Sequence, residues 1–237
     1  MRSIVKKSFM ALTGIGLLGF LIAHLSGNLL IYAGPEKFNH YAEFLEANPL
    51  LVPAEIGLLV LFFYHIYLAI TLTRENEAAR PIPYQQRKTN GESTFASRTM
   101  IYTGTIILAF VIVHVYMFKF GAKKNNGQMV LWELVVENFK NPLVVAWYVI
   151  AMITLGFHLS HGTSSVLQSL GIIKSDWRGG SRTIGAIIGW AIAIGFALMP
   201  IYVIVVKPTG APAFATSASS ASALPAAAVP NEAGQPK

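Results

Sequence analysis

Four histidines carry the chemistry that this sequence offers. His24, His65, His114 and His158 each lie inside a different long apolar stretch. An ionisable side chain is costly within a lipid bilayer, so each histidine is expected to face the interior of a helix bundle and to have a partner there. A single one would be explained by an interhelical hydrogen bond. Four imidazoles on four helices make two pairs, which is the ligand set of two bis-histidine haems b.

The stretches that hold these histidines are long enough to cross a membrane. Residues 9–32 carry no charge over 24 positions, and a helix rising ~1.5 Å per residue needs about 20 residues for a bilayer core. Four further stretches, about 53–73, 99–120, 142–168 and 183–206, have the same character. With 54% hydrophobic and only 12% charged residues, the chain is predicted to be an all-α membrane protein, a bundle of five transmembrane helices.

The domain organisation follows from these stretches. Residues 1–206 are predicted to form one five-helix transmembrane domain that encloses two haems. Residues 207–237 are rich in Ala, Ser and Pro and are predicted to be a disordered tail. Residues 34–52 predict a loop containing a short amphipathic helix. Cysteine is absent, which excludes disulfides, thiolate metal sites and iron–sulfur ligation by this chain.

The distribution of positive charge gives the orientation. The net charge of +7 lies in loops beside the apolar spans, which encodes topology and argues against nucleic acid as a partner. Eleven Lys and Arg residues fall on the side of the N-terminus and seven on the other. We therefore expect a cytoplasmic N-terminus.

Depth in the membrane then pairs the histidines. His24 and His114 lie toward the outer leaflet, and His65 and His158 lie toward the cytoplasm, at levels roughly 10 Å apart. Zinc or copper could use the same ring nitrogens. Two levels on alternate helices suit two separate six-coordinate irons better than one tetrahedral cluster.

Further residues could serve the same site. His161 follows His158 by three positions and shares roughly one helix face, so either could be the ligand, and the other could bond a haem propionate. Cations at helix ends could hold propionates, or could serve only topology: Arg74, Arg98, Arg182 and Lys119. Glycines near the histidines could give a porphyrin room, or could be helix-packing positions: Gly14, Gly16, Gly19, Gly27, Gly104, Gly156 and Gly162.

A quinone site could use polar residues near the outer ends of the first two spans, each of which also has a structural explanation: Asn28, Tyr32, His40, Tyr41 and Glu55.

The sequence resembles the dihaem cytochrome b of the b558 type, the five-helix, single-subunit membrane anchor of succinate dehydrogenase/fumarate reductase complexes. The likeness runs over about residues 4–206. It is carried by the segments KKSFMALTGIGLLGFLIAHLSGNLLIY, FNHYAEFLEANPL, FFYHIYLAI, RENEAARPIPY, FVIVHVYMF and GFHLSHGTSSVLQSLG.

This resemblance implies an outer haem on His24 and His114 and an inner haem on His65 and His158. The family ligand in the fourth span precedes a glycine by four residues, as His158 precedes Gly162, so His161 becomes the second choice. The resemblance also implies a flavoprotein subunit with FAD and an iron–sulfur subunit at the cytoplasmic face. Electrons from succinate would then reach menaquinone in a bacterial cytoplasmic membrane. A higher oligomer of the complex is compatible with this, and the dicarboxylate pocket would belong to a partner.

Two other function classes fit some of these observations. A proton-relay transporter would also place histidines in the membrane, but such proteins usually carry more intramembrane carboxylates than this chain does. A b-type cytochrome subunit of another quinone-linked oxidoreductase, such as a hydrogenase or formate dehydrogenase, would share the histidine pattern. An optical spectrum distinguishes a cytochrome from a proton-relay transporter, which would be colourless. The co-purifying subunits distinguish the possible oxidoreductase complexes from one another.

Overall fold

The fold comes from a computed structural model that describes residues 3–79, 94–121, 124–125, 128–173 and 177–208. Nearly all of these residues are helical. The elements in chain order are α1 (Ser3–Asn28) with a 3₁₀ turn (Leu29–Ala33), α2 (Pro35–Glu46), α3 (Leu51–Ala78), α4 (Phe95–Arg98), α5 (Met100–Val115) with a π-helical turn (Tyr116–Phe120), the antiparallel pair β1 (Lys124–Asn125) and β2 (Gln128–Met129), α6 (Leu131–Phe139), α7 (Pro142–Ser169) and α8 (Arg178–Val206).

Five of these helical segments are long and apolar enough to cross a membrane. We call them the first to fifth spans: Ile4–Ala33, Leu51–Ala78, Met100–Phe120, Pro142–Ser169 and Arg178–Val206. The prediction of five apolar membrane-crossing helices is confirmed. Residues 209–237, and with them nearly all of the predicted disordered tail, lie outside the described residues. Residues 80–93, which belong to the connection between the second and third spans, also lie outside them.

The fourth and fifth spans make the closest helix contact, and glycine permits it. A Cβ atom added at Gly185 would lie 2.4 Å from the backbone oxygen of Ser160, and one at Gly189 would lie 2.7 Å from the Ser160 backbone nitrogen. Both distances are far below van der Waals contact. Small residues allow helix backbones to approach in this way where lipid supplies no hydrophobic driving force.

One end of the bundle is covered by α2 and α6, and we call it the capped end. Phe38 of α2 and Trp132 of α6 are buried there. The Asn39 side chain joins the two helices, because its oxygen accepts from the Trp132 backbone N–H at 2.8 Å and its amide donates to Glu133 at 3.0 Å. The amphipathic helix predicted within residues 34–52 is α2. The sequence analysis treated 121–141 only as a connection and did not predict α6.

The opposite end holds the start of α1, the end of α3 and the short helix α4, and we call it the open end. An ion pair between Lys6 and Glu75 joins the first and second spans there. At the capped end, Lys119 and Glu55 form a second ion pair between the third and second spans. These ion pairs link the second span to the first span at the open end and to the third span at the capped end.

Candidate functional site

The first histidine pair lies at the capped end, between the first and third spans. The ring centroids of His24 and His114 are 5.8 Å apart, and the rings are perpendicular. Each ring stacks on the phenylalanine four residues before it, on Phe20 at 5.2 Å and on Phe110 at 5.5 Å. The pairing predicted from depth is thus the one that the structure brings together.

Tyr148 of the fourth span contacts the His114 ring of this pair. Its hydroxyl lies 3.1 Å from His114 Nδ1, and the residue is only 6% exposed. Phe110 and Phe139 each pack edge-on against its ring at 4.9 Å. On the other side, the Asn28 amide donates to the His24 carbonyl at 2.8 Å and lies 3.4 Å from His24 Nδ1. Both rings are therefore held at one edge by a polar group.

A buried donor beside this pair lacks a protein acceptor. The Trp147 indole N–H is buried and has no hydrogen-bond partner within the described parts of the chain. The indole lies 6.5 Å from Phe110, the residue that stacks on His114. A buried donor in this position calls for an acceptor that a bound molecule can supply.

The second histidine pair lies toward the open end, on the second and fourth spans. The Thr13 hydroxyl lies 3.0 Å from His65 Nδ1, and the Thr103 hydroxyl lies 3.1 Å from His158 Nδ1. Each of these rings is therefore held by a threonine of the preceding span.

The two pairs lie at clearly different depths. Thr13, beside His65, and His24 both belong to α1 and are eleven residues apart, as are Thr103, beside His158, and His114 on α5. Eleven residues of α-helix rise about 16 Å. The separation is larger than the rough 10 Å expected from the sequence.

His161 lines a polar cleft of about 290 Å³. In that cleft it shares the lining with residues of α4 and α8. The cleft is lined by Thr94, Ala96, Ser97, Ser160, His161, Ser164, Ser165, Gln168, Arg182 and Ala186. The structure thus gives His158 and His161 different surroundings.

The glycines near the histidines divide into three groups. Gly14 lies against His65 and Gly104 against His158, where an added Cβ would be 4.0 and 3.6 Å from the respective ring Cε1. The others either pack against a large side chain (Gly16 on Leu61, Gly27 on Tyr41, Gly156 on Trp190) or face open space (Gly19 and Gly162). The helix-packing interpretation therefore applies to Gly16, Gly27 and Gly156.

The polar residues considered for a quinone site take separate places near the capped end. Asn28 contacts His24, Tyr32 packs edge-on against Tyr202 at 4.8 Å, and Glu55 pairs with Lys119. His40 and Tyr41 line a groove on α2 together with Glu36, Lys37 and Phe44. Within the described residues, no three His, Asp or Glu side chains gather as a metal cluster. The histidines are arranged as pairs, which is not a tetrahedral zinc arrangement.

The sequence analysis did not predict three residues of the site: Thr13, Thr103 and Tyr148. A repeat would have pointed to the two threonines. Residues 10–24 and 100–114 both read Met, two residues, Thr-Gly, nine residues, His, and seven of the fifteen aligned positions are identical. The identical pairs are Met10/Met100, Thr13/Thr103, Gly14/Gly104, Leu18/Leu108, Phe20/Phe110, Ile22/Ile112 and His24/His114.

Five apolar helices, four of which carry a histidine within the span, define a multi-pass helical membrane protein. Comparison with known proteins identifies the particular group. The chain belongs to the succinate dehydrogenase/fumarate reductase transmembrane subunit family, whose sequence profile matches residues 77–199. It is 28% identical over 160 residues to the succinate dehydrogenase cytochrome b558 subunit of Bacillus subtilis (strain 168), an alignment covering 65% of this chain and 72% of that protein. No solved structure matches the chain significantly.

Proposed function

We propose that this chain is the dihaem cytochrome b subunit and membrane anchor of a succinate:menaquinone oxidoreductase. In this role it passes electrons from an iron–sulfur subunit through two haems b to menaquinone. The proposal is carried by four histidines within four different spans. His24 and His114 lie ring to ring, and His65 and His158 lie beside threonines of α1 and α5 that are eleven residues away from that level. The resemblance to a cytochrome b558 subunit supports the same function.

The spacing of the capped-end pair fits an outer haem held by His24 and His114. These two imidazoles would be the residues that hold the outer haem, one from the first span and one from the third. The distance between the His24 and His114 centroids is 5.8 Å. Stacking on Phe20 and Phe110 fixes both ring planes, and the unpaired Trp147 indole is available to an acceptor on the bound group.

His65 and His158 would hold the inner haem. The contacts to Thr13 and Thr103 occupy Nδ1 of each ring, so Nε2 is the nitrogen available to iron. The adjoining cleft contains His161 and Arg182, the kinds of donor that a haem carboxylate requires. We assign His158 as the ligand and His161 to that cleft.

A haem iron held by two imidazoles supplies one-electron transfer and has no open position for oxygen chemistry. The chain's own side chains hold the rings through the hydroxyl and stacking contacts described above. The excess of Lys and Arg at the open end supports a cytoplasmic N-terminus in a bacterial cytoplasmic membrane. That end is then the face on which the FAD-containing flavoprotein and the iron–sulfur subunit would dock.

Haem stoichiometry of the purified complex tests this proposal. A pyridine haemochrome assay on the wild type is expected to give two haems b per chain, and succinate is expected to reduce them. His114→Ala should hold one haem, because the outer pair loses a ligand while the inner pair is untouched. His40→Ala, which removes a histidine of α2 outside both pairs, should keep two. A wild type with one haem or none, or a His114→Ala variant with two, would overturn the proposal.

A further inference from the structure

Two buried threonine hydroxyls contact the open-end histidines in the same way. Thr13 is 4% exposed and Thr103 is 8% exposed, and each lies within 3.1 Å of Nδ1 of its histidine. They belong to different spans and hold histidines of different spans. The same contact is therefore built twice.

Each hydroxyl also lies within hydrogen-bond distance of a carbonyl of its own helix. Thr13 Oγ1 lies 3.0 Å from the Met10 carbonyl, and Thr103 Oγ1 lies 3.1 Å from the Met100 carbonyl. A carbonyl oxygen can only accept, so each hydroxyl can donate its one proton to its own helix. In that arrangement the hydroxyl oxygen is left as an acceptor toward the histidine.

This accounting fixes the form of the imidazole. If the threonine oxygen accepts, then His65 and His158 must donate from Nδ1, and a neutral ring protonated at Nδ1 carries its lone pair on Nε2. That is the form in which imidazole binds a metal ion through Nε2. Metal-binding histidines commonly donate their second N–H to a fixed acceptor, which orients the ring and raises its basicity.

The residue after each threonine is a glycine that lies next to the same histidine ring. At Gly14 and at Gly104 an added Cβ would lie within 4.0 Å of the Cε1 atom of the neighbouring histidine. Cε1 is bonded to Nδ1, so the glycine lies beside the part of the ring that the threonine hydroxyl contacts. The repeat of residues 10–24 at 100–114 supplies this Thr-Gly pair to both rings.

We propose that Thr13 and Thr103 are a matched pair of positioning residues, which hold His65 and His158 with Nδ1 protonated and Nε2 directed to the inner haem iron. The proposal rests on the proposed function, since it takes these histidines as ligands. It assigns a role to the threonines alone. The capped-end histidines contact Tyr148 and Asn28 instead, so the effect of the threonines is confined to the inner haem.

The test compares Thr13→Val, Thr13→Ser, Thr103→Val and Thr154→Val in the purified complex. Valine keeps the branched shape and removes the acceptor, whereas serine keeps the hydroxyl. Thr154 is an equally buried threonine of the fourth span whose hydroxyl donates to the Ile150 carbonyl, so its valine variant controls for the loss of a buried hydroxyl. The readouts are haem content, the reduction potential of each haem and the low-spin EPR signal of each haem.

Each of the two valine variants at Thr13 and Thr103 is expected to hold the inner haem ten- to a hundredfold less tightly. The remaining inner haem should have a higher reduction potential, because a ligand that no longer donates from Nδ1 supplies less electron density to the ferric iron. Thr13→Ser and Thr154→Val should match the wild type. The outer haem in each sample reports that the bundle has folded.

Two results would overturn the proposal: Thr13→Val and Thr103→Val with an inner haem unchanged in potential and EPR signal, or Thr154→Val with the same shift as they show. Failure of the proposed function itself looks different. In that case the wild type lacks two haems before any threonine is changed.

Discussion

Tyr148→Phe is the sharpest perturbation of the capped-end pair, because it deletes one oxygen and leaves the ring. The phenyl ring would still pack against Phe110 and Phe139, each at 4.9 Å in the parent structure. What disappears is the hydroxyl that lies 3.1 Å from His114 Nδ1. With His114 bound to iron through Nε2, its Nδ1–H would then be buried without this acceptor.

The cost follows from that lost contact. Leaving a buried donor unsatisfied costs about 1–3 kcal/mol, and each ~1.4 kcal/mol is a factor of ten in an equilibrium constant. Outer-haem binding should therefore weaken roughly 5- to 150-fold. The inner haem should be unaffected, since Thr13 and Thr103, and not Tyr148, contact its histidines.

The weaker binding of the outer haem can be measured in detergent solution as its rate of transfer to an excess of apomyoglobin, followed by optical absorption. Tyr202→Phe is the matched control, because Tyr202 lies at the same end and packs against Tyr32 at 4.8 Å. If Tyr148→Phe releases its outer haem no faster than Tyr202→Phe does, the inference that Tyr148 supports His114 is refuted.

Two further predictions concern the fourth and fifth spans. His158→Ala should lose the inner haem while His161→Ala keeps both haems, measured by pyridine haemochrome; the reverse outcome would exchange their roles. Gly185→Ala should lower the free energy of unfolding by about 1–3 kcal/mol, because its Cβ would overlap the backbone of the fourth span. Gly179→Ala is the control, because its added Cβ has no neighbour within 4 Å. This variant should show no loss in the free energy of unfolding from steric overlap. Equal thermal midpoints for the two glycine variants would contradict the close contact described for the fourth and fifth spans.

The spans could be predicted because a bilayer imposes a demand that a single sequence displays directly. About twenty consecutive apolar residues are needed, and the stretch containing His24 meets that demand on inspection. The pairing of His24 with His114 followed from the same rule, since helix direction and position along the span fix depth. Neither step required knowledge of how the side chains pack.

The supporting residues could not be predicted in the same way. A threonine within a helix normally bonds its own backbone, as Thr154 does, so Thr13 and Thr103 carry no individual signal. Only the comparison of residues 10–24 with 100–114 distinguishes them. Tyr148 has no such repeat, and its role depends on tertiary packing. The helix α6 escaped prediction because its burial depends on α2, which is distant in sequence.

The eleven-residue interval within α1 and α5 links the two histidine levels mechanically. Each of these helices presents a hydroxyl at one depth and an imidazole at the other, so any sliding or rotation of the helix displaces both levels together. Rigid-body movement of α1 or α5 therefore perturbs the surroundings of both histidine levels. A change confined to one level requires a single side-chain exchange, such as one at Thr13, Thr103 or Tyr148.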